Sequence, residues 1–198
     1  MSPSTRSSND KVNGANIKSV CVFCGAGDGA DPVFEQEAIG GGSVGLMGTV
    51  AKAALDNGGK ITAVVPEPLF KHGSKQLCDP IVVPDMHSRK RRMYDESDAF
   101  VVLPGGFGTM EEMLEMITWS QLNIHTKPII LVNTKNYYTP FAEWVKMCVK
   151  ENFIKTHNAE IFVLCESSKD VIDTLKNYTA PKARYEFQWT NFEKESLV

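Results

Sequence analysis

The sequence lacks the long apolar runs of a membrane protein, since no stretch of about 18 apolar residues occurs in its 198 residues. It also lacks an excess of charge of either sign, with 21 basic and 24 acidic residues and a net charge of −3. A chain so close to neutral is not expected to bind a nucleic acid polymer or a membrane surface. Residues 1–16 are rich in Ser, Asn and Gly and contain no apolar segment. We expect a disordered extension there rather than a secretory signal.

The cysteines are too few and too scattered to form a metal site. There are five, and Cys21 and Cys24 form a C-x-x-C, but no second pair or Cys/His cluster completes a zinc site. Several cysteines lie in apolar stretches, which favours buried, reduced, structural thiols in a cytoplasmic protein. A redox pair at Cys21 and Cys24 is the alternative.

Short β-branched runs alternate with helical segments along most of the chain. The predicted strands cover 17–23, 60–65, 81–83, 99–103, 128–132 and 161–165. The predicted helices begin at Asp31-Pro32 and then cover 46–57, 87–96, 109–122, 140–150 and 167–178. This alternation predicts an α/β protein, with a Rossmann-like parallel sheet and helices on both faces. We expect residues 17–178 to form a single domain, followed by a polar tail over 179–198.

Two glycine clusters stand at predicted helix starts. The first runs from Pro104 to Gly108 and directly follows an apolar strand, and the second includes Gly41, Gly42 and Ser43. Glycine lets a backbone approach a ligand closely, and a helix start offers free N–H groups and the positive end of the helix dipole. Because ligands of parallel sheets bind beyond the carboxyl ends of the strands, the two clusters predict a phosphate site there.

Thr109 and Glu112 allow two interpretations. Their spacing at a helix start fits a capping box, in which both side chains satisfy backbone N–H groups. Glu112 is also placed to serve as a catalytic carboxylate beside the glycine cluster. The two roles are compatible, since a capping carboxylate would face the same crevice.

A basic stretch over residues 85–92 contains His87, Arg89 and Lys90. It fits a solvated basic helix face, a nuclear-targeting patch or an anion-recognition site, because arginine presents a planar fork that matches phosphate. His87 alone is more typical of a helix cap than of a catalyst. These alternatives remain open on the residues alone.

Five stretches resemble the Lonely Guy family of cytokinin riboside 5′-monophosphate phosphoribohydrolases, long described as possible lysine decarboxylases. They are VCVFCGAGDG at 20–29, GGGSVGLMG at 40–48, DMHSRK at 85–90, PGGFGTMEE at 104–112 and TWSQLNIHTKPIILVN at 118–133. The similarity extends from about Val20 to Ile154. No lysine convincingly suits pyridoxal phosphate, since Lys90 lies in a basic helix rather than an isolated apolar pocket.

The resemblance implies hydrolysis of the N-glycosidic bond of an N6-modified adenosine 5′-monophosphate, without metal or cofactor. Arg89 and Glu112 match the catalytic positions of that family. The substrate- and phosphate-binding candidates are Gly25, Ala26, Gly41, Gly42, Ser43, His87, Lys90, Gly105, Gly106, Phe107, Gly108, Thr109, Met110, Glu111 and Thr118. Ala26 stands where the family usually has serine, which removes a hydroxyl contact. The resemblance also implies a homodimer or a dimer-based oligomer.

The chemistry suits these residues. Cleavage of an N-glycoside builds positive charge on the sugar, so the Glu112 carboxylate would stabilise that charge or activate water. Arg89 would orient Glu112 or hold the ribose phosphate. The alternative is a carrier of a nucleotide or of the molybdenum cofactor that binds phosphate without hydrolysis. The presence of both Arg89 and Glu112 favours the enzyme.

One segment departs from the family. Members have roughly twenty more residues before the GGGSVGLMG stretch, and these carry a second parallel strand. Here residues 34–38 run directly into Ile39, although a crossover between parallel strands needs a dozen residues or more. Because both flanks are intact, we expect that the molecule has about twenty further residues between Ala38 and Ile39. No ordinary peptide bond would then join these two residues. A genuine deletion would instead place activity in doubt.

Overall fold

A computed structural model describes residues 17–37, 45–71, 78–181, 187 and 189 of the chain. The strands are β1 (Val20–Phe23), β2 (Val64–Pro66), β3 (Ile81–Val83), β4 (Ala99–Val102), β5 (Ile129–Val132) and β6 (Val163–Cys165). The helices are α1 (Pro32–Glu37), α2 (Gly45–Asp56), α3 (Glu67–Lys71), α4 (Met86–Asp95), α5 (Phe107–Gln121), α6 (Thr139–Lys150) and α7 (Val171–Asn177). Short 3₁₀ turns occupy Thr134–Asn136, Thr156–Glu160 and Ser168–Asp170.

The main sheet has four parallel strands in the order β1-β4-β5-β6. Every residue of β4 and β5 is buried, as expected for central strands covered on both faces. One face packs against α2 and α7 through Leu46 and Leu175, and the other packs against α5 through Met113 and Met116. The predicted Rossmann-like α/β fold, with helices on both faces, is confirmed.

Two helices begin just after an aspartate whose side chain accepts a hydrogen bond from the first turn. The Asp31 carboxylate accepts a hydrogen bond from the Val33 N–H at 2.9 Å, and Pro32 is the first residue of α1. The Asp85 carboxylate accepts from the Ser88 N–H at 2.7 Å at the start of α4. Both contacts satisfy N–H groups that a helix start leaves without a partner. The short helix α3 was not predicted.

The sheet is divided between β1 and β2. Within the described ranges, β2 pairs only with β3 in a separate two-stranded sheet, and β1 pairs only with β4. This division is what the lack of a strand between the first helix and the glycine stretch would produce. Ala38 and Ile39 lie outside the described residues, so the expectation about the bond between them stays a prediction. Residues 1–16 and most of the predicted tail also lie outside them.

All five cysteines are free thiols, and four of them are buried. Burial raises the pKa of Cys21 and of Cys24 to about 12, which keeps both thiols protonated and poorly reactive. This environment fits structural thiols better than a redox pair. In the part of the chain that the structure describes, no helix is both long and apolar enough to cross a membrane.

Candidate functional site

Arg89 and Glu112 form an ion pair between α4 and α5. The Arg89 Nη1 donates to the Glu112 Oε1, and the Arg89 Nε donates to the Val64 carbonyl oxygen at 3.1 Å. The side chains are only 18% and 10% exposed. The guanidinium therefore connects the first residue of β2 to α5, so the pair forms even though the sheet is divided.

Opposing effects act on the Glu112 carboxyl. Burial raises its pKa above the ordinary value, while the charge of Arg89 and its hydrogen bond oppose that shift. The result is a poorly hydrated carboxylate beside one cation. Such a group is suited to stabilising a nearby positive charge or to taking a proton from water.

The turn from Pro104 to Gly106 ends β4 and opens α5. Gly106 is the N-cap residue, and its cap position has no side-chain hydrogen bond. Phe107 is 97% exposed, and a Cβ atom built at Gly106 or Gly108 would meet nothing within 4 Å. The start of α5 therefore has no capping side chain and open space around its glycines, which leaves room for an anion at its first N–H groups. We call this start of α5, Gly106 to Gly108, the anion seat.

Of the two interpretations of Thr109 and Glu112, the capping box is wrong. The helix α5 begins at Phe107, so Thr109 is its third residue and Glu112 its sixth. Thr109 is only 4% exposed. The pattern misled because the glycine turn starts the helix three residues earlier than a Thr109 cap would, which frees Glu112 to pair with Arg89.

The loop after β1 lies against the same turn. The Gly25 N–H donates to the Pro104 carbonyl oxygen at 3.0 Å, and Gly45, with a φ of 70°, packs against Ala26. A Cβ atom at Gly45 would lie 2.0 Å from the Ala26 carbonyl oxygen, so only glycine fits there. Ala26 is exposed. The predicted contacts Gly41, Gly42 and Ser43 lie outside the described residues.

Gly105 and Gly108 are expected to respond oppositely to alanine. A Cβ atom at Gly105 would lie 2.7 Å from Thr109 Cβ and 2.8 Å from the Gly25 nitrogen, so Gly105→Ala should destabilise the fold by about 1–3 kcal/mol. Gly108→Ala meets nothing and improves helix propensity, so it should raise stability by up to about 1 kcal/mol. Urea unfolding of both variants measures the difference. Equal losses of stability in the two variants would contradict the crowded surroundings of Gly105 and the open surroundings of Gly108.

Lys90 is buried between two carboxylates of α5. Its ammonium pairs with Glu111, and it lies 2.9 Å from Glu115. Burial disfavours its charge, but these two hydrogen bonds outweigh burial and raise the pKa of Lys90. The contacts tie α4 to α5, and a direct contact of Lys90 with substrate stays a prediction. Sequence reasoning missed Glu115, although its spacing of four residues from Glu111 was the available signal.

The other candidate residues lie on the outer face of α5 and at the start of α4. A groove of about 610 Å³ is lined by Phe107, Met110, Glu111, Leu114, Glu115, Thr118 and Trp119. Thr118 and Glu111 are exposed there, whereas Glu112 is buried on a different side of the helix. His87 is exposed in the first turn of α4. The structure thus places Arg89 and Glu112 together and sets Thr118 apart on an outward surface.

Two tyrosines that the sequence analysis did not select also contact the glycine turn. The Tyr137 hydroxyl donates to the Gly105 carbonyl oxygen, and the Tyr138 hydroxyl donates to the Leu103 carbonyl oxygen, each at 2.7 Å. Both follow β5, whose carboxyl end lies beside that of β4. Their position after a predicted central strand was the only signal for them.

Fold and site together define a doubly wound α/β protein with a guanidinium–carboxylate pair beside an uncapped, glycine-rich helix start. A family model described as possible lysine decarboxylase matches residues 47–175. The chain belongs to this family, which includes the cytokinin riboside 5′-monophosphate phosphoribohydrolases.

Curated relatives cover most of the chain. It is 35% identical to cytokinin riboside 5′-monophosphate phosphoribohydrolase LOG4 of Arabidopsis thaliana, over 86% of this chain and 87% of the relative. It is 38% identical to the probable enzyme LOGL2 of Oryza sativa subsp. japonica, over 83% and 75%. It is also 38% identical to the probable enzyme LOGL1 of the same organism, over 88% and 89%.

The alignment lengths also show by how much this chain is shorter than its relatives. The LOG4 alignment runs over 188 residues, about 18 more than the 86% of this chain that it covers. The relative therefore carries about that many residues within the aligned region that have no counterpart here. This shortfall agrees in size with the strand that the sequence lacks before Gly40.

The name of the family model does not describe this site. The described lysine with the most strongly lowered pKa is Lys127, whose pKa burial brings to about 8. Lys127 lies just before the amino end of β5, whereas the glycine turn follows the carboxyl end of β4. Its Nζ donates to the Tyr94 carbonyl oxygen at 2.5 Å. Lys90 does lie beside the site, but its ammonium is paired with Glu111 and Glu115 and its pKa is raised, whereas a Schiff-base lysine needs a neutral amine.

Proposed function

We propose that this chain hydrolyses the N-glycosidic bond of adenosine 5′-monophosphate or an N6-modified form of it, releasing the free base and ribose 5-phosphate. The observation that carries this proposal is the poorly hydrated Glu112 carboxylate, paired with Arg89 close to the uncapped start of α5. The relatives named phosphoribohydrolases support the same reaction.

Different residues bind the phosphate and act at the bond that breaks. The 5′-phosphate binds the anion seat, where the helix N–H groups and dipole favour negative charge. As the bond between C1′ and the base breaks, positive charge builds on the sugar, and the Glu112 carboxylate stabilises it or removes a proton from the attacking water. Arg89 holds Glu112 in place and keeps it ionised. Water adds to C1′, and the base leaves with a proton.

The remaining candidate contacts are proposed because they match substrate-binding positions of the family. We assign substrate binding to Gly25, Ala26, Gly41, Gly42, Ser43, His87, Lys90, Gly105, Gly106, Phe107, Gly108, Thr109, Met110, Glu111 and Thr118. Free, buried thiols suit a reducing compartment, so we place the protein in the cytoplasm.

The deciding experiment is incubation of the purified protein with adenosine monophosphate and with an N6-alkylated derivative. Chromatography should show free base and ribose 5-phosphate in equal amounts. Tight binding of the nucleotide without product would instead identify a carrier. The ratio of kcat/KM for the two substrates would show whether the N6 substituent is recognised.

We also propose a homodimer built on the outer face of α5. Phe107 is 97% exposed and Leu114 is 37% exposed, so the groove on this face presents apolar surface to solvent. Trp119 lines the groove, but its ring also packs edge-on against Tyr94 of the same chain, with ring centroids 5.2 Å apart. Trp119 therefore packs partly within its own chain, and Phe107 and Leu114 supply the more exposed apolar surface of the proposed interface.

Light scattering at micromolar concentration should give about 44 kDa for the dimer, twice the 21.9 kDa chain mass. Leu114→Glu places a charge on the proposed interface and should give a monomer of chain mass. Ile172→Glu is the control, because Ile172 is 58% exposed on α7. A wild-type protein at chain mass, or dissociation by the control alone, would contradict this interface.

A further inference from the structure

Three consecutive carbonyl groups of the glycine turn are each held by a different part of the chain. The Leu103 carbonyl accepts from the Tyr138 hydroxyl at 2.7 Å, and the Pro104 carbonyl accepts from the Gly25 N–H at 3.0 Å. The Gly105 carbonyl accepts from the Tyr137 hydroxyl at 2.7 Å. The backbone leading into the anion seat is thus fixed one peptide group at a time.

The loop after β5 is built to deliver the two tyrosines. Asn133 is 4% exposed, and its side-chain oxygen accepts from the Tyr138 N–H at 2.8 Å. Between them, Lys135 and Asn136 have φ values of 55° and 61°, an unusual left-handed conformation for two successive residues other than glycine. This local strain is typical of functional loops.

Tyr137 and Tyr138 differ in their surroundings. Tyr138 is 1% exposed, so its hydroxyl satisfies a carbonyl that water does not reach, and its loss would cost stability. Tyr137 is 43% exposed, and its ring packs edge-on against Phe34 with ring centroids 6.0 Å apart. Because water can replace an exposed hydroxyl, the Tyr137 contact adds little stability. Its main effect is to orient the Gly105 carbonyl group within the turn.

The planarity of the peptide bond carries this direction into the anion seat. In a trans peptide the C=O and the following N–H point in opposite directions. A Gly105 carbonyl held by Tyr137 therefore fixes the direction of the Gly106 N–H. With glycine on both sides, the free backbone would otherwise rotate with little resistance.

We propose that Tyr137 is a positioning residue for the phosphate of the substrate, acting through the Gly105–Gly106 peptide. This inference rests on the proposed function, because it assigns the phosphate to the anion seat. Nothing requires Tyr137 itself to touch the substrate.

The test compares Tyr137→Phe with Tyr178→Phe, a matched control. Tyr178 is 7% exposed, and its hydroxyl donates to the Ile161 carbonyl oxygen at 3.1 Å, before β6 and away from the glycine turn. Tyr137→Phe should weaken ribose 5-phosphate binding and raise KM for adenosine monophosphate by about 5–10-fold, the loss of one hydrogen bond. The value of kcat should stay within about threefold, and the Tm within about 2 °C. Tyr178→Phe should lower the Tm and leave KM unchanged.

Amide hydrogen exchange makes the test independent of turnover. Tyr137→Phe should speed exchange in the segment 105–108 by about fivefold in the free protein, and Tyr178→Phe should not. Faster exchange in a protein that neither binds nor cleaves the nucleotide would reject the proposed function while supporting a turn held by Tyr137. Unchanged exchange, or unchanged KM in an active enzyme, would overturn the positioning role. A variant in which Tm and kcat fall while KM rises would also overturn it, since a general loss of structure affects all three quantities together.

Discussion

Glu112→Gln is expected to lower kcat by about 10²–10⁴-fold, the usual contribution of a positioned acid–base or charge-stabilising carboxylate. Glutamine keeps the shape of the side chain and still accepts a hydrogen bond from Arg89, so nucleotide binding should change little. In the wild type, kcat/KM should fall with acidification through a pKa above the ordinary Glu value, because burial raises the pKa of Glu112. The variant should lose that acid limb. Steady-state kinetics across pH measures both effects.

Asp98→Asn is the control for a general loss of stability. The Asp98 carboxylate accepts from the backbone N–H groups of Lys18 and Ser19 at 2.8 and 3.0 Å, at the opposite edge of the sheet. Its replacement should lower the Tm without changing kcat. Turnover by Glu112→Gln within about threefold of the wild type would reduce Glu112 to a structural partner of Arg89.

The fold was largely predictable because the central strands carry an unambiguous signal. Residues 99–103 and 128–132 are apolar throughout, and burial on both faces demands that pattern. Element ends were less predictable. The helix α5 begins at Phe107 because a glycine turn can start a helix without a capping side chain, whereas the pattern favoured Thr109.

The candidate site was predictable only where its residues lie in local motifs. Arg89 and Glu112 stand in two short motifs, and the structure pairs them. Tyr137 contacts Gly105, which lies 32 residues earlier in the chain. The loop that places Tyr137 has Lys and Asn, rather than Gly, in the left-handed conformation, so no local sequence pattern predicts this contact. Lys90 looked like part of a solvated basic face. It is buried because two carboxylates of α5 lie opposite, which depends on how the two helices pack.

The divided sheet bears on activity as well as on fold. The residues Arg89 and Glu112 come from α4 and α5, and the Arg89 Nε is held by the Val64 carbonyl of the small sheet. The pair therefore depends on the position of β2 and β3, which share no ladder with the main sheet among the described residues. Ordering of the small sheet, rather than the presence of the pair, would limit turnover in a chain without the intervening strand.

Removal of the 5′-phosphate from the substrate is expected to lower kcat/KM by about 10²–10⁴-fold. The anion seat supplies N–H groups at the uncapped start of α5, and two charge-assisted hydrogen bonds of about 1.5–3 kcal/mol each account for that range. Binding energy from this remote group holds C1′ against Glu112, so its loss should reduce kcat as well as raise KM. The measurement compares adenosine with adenosine monophosphate at equal enzyme concentration.

Gly108→Ala tests whether the difference in kcat/KM between adenosine monophosphate and adenosine arises at the anion seat. A Cβ atom at Gly108 meets no protein atom within 4 Å, so the fold should tolerate it, but it would intrude on a phosphate seated there. The variant should lose kcat/KM for adenosine monophosphate and keep the low value for adenosine. Inorganic phosphate should compete with the nucleotide in the wild type and much less in the variant. Equal kcat/KM for the two substrates in the wild type would show that the phosphate is not recognised, and equal losses for both in Gly108→Ala would place the phosphate elsewhere.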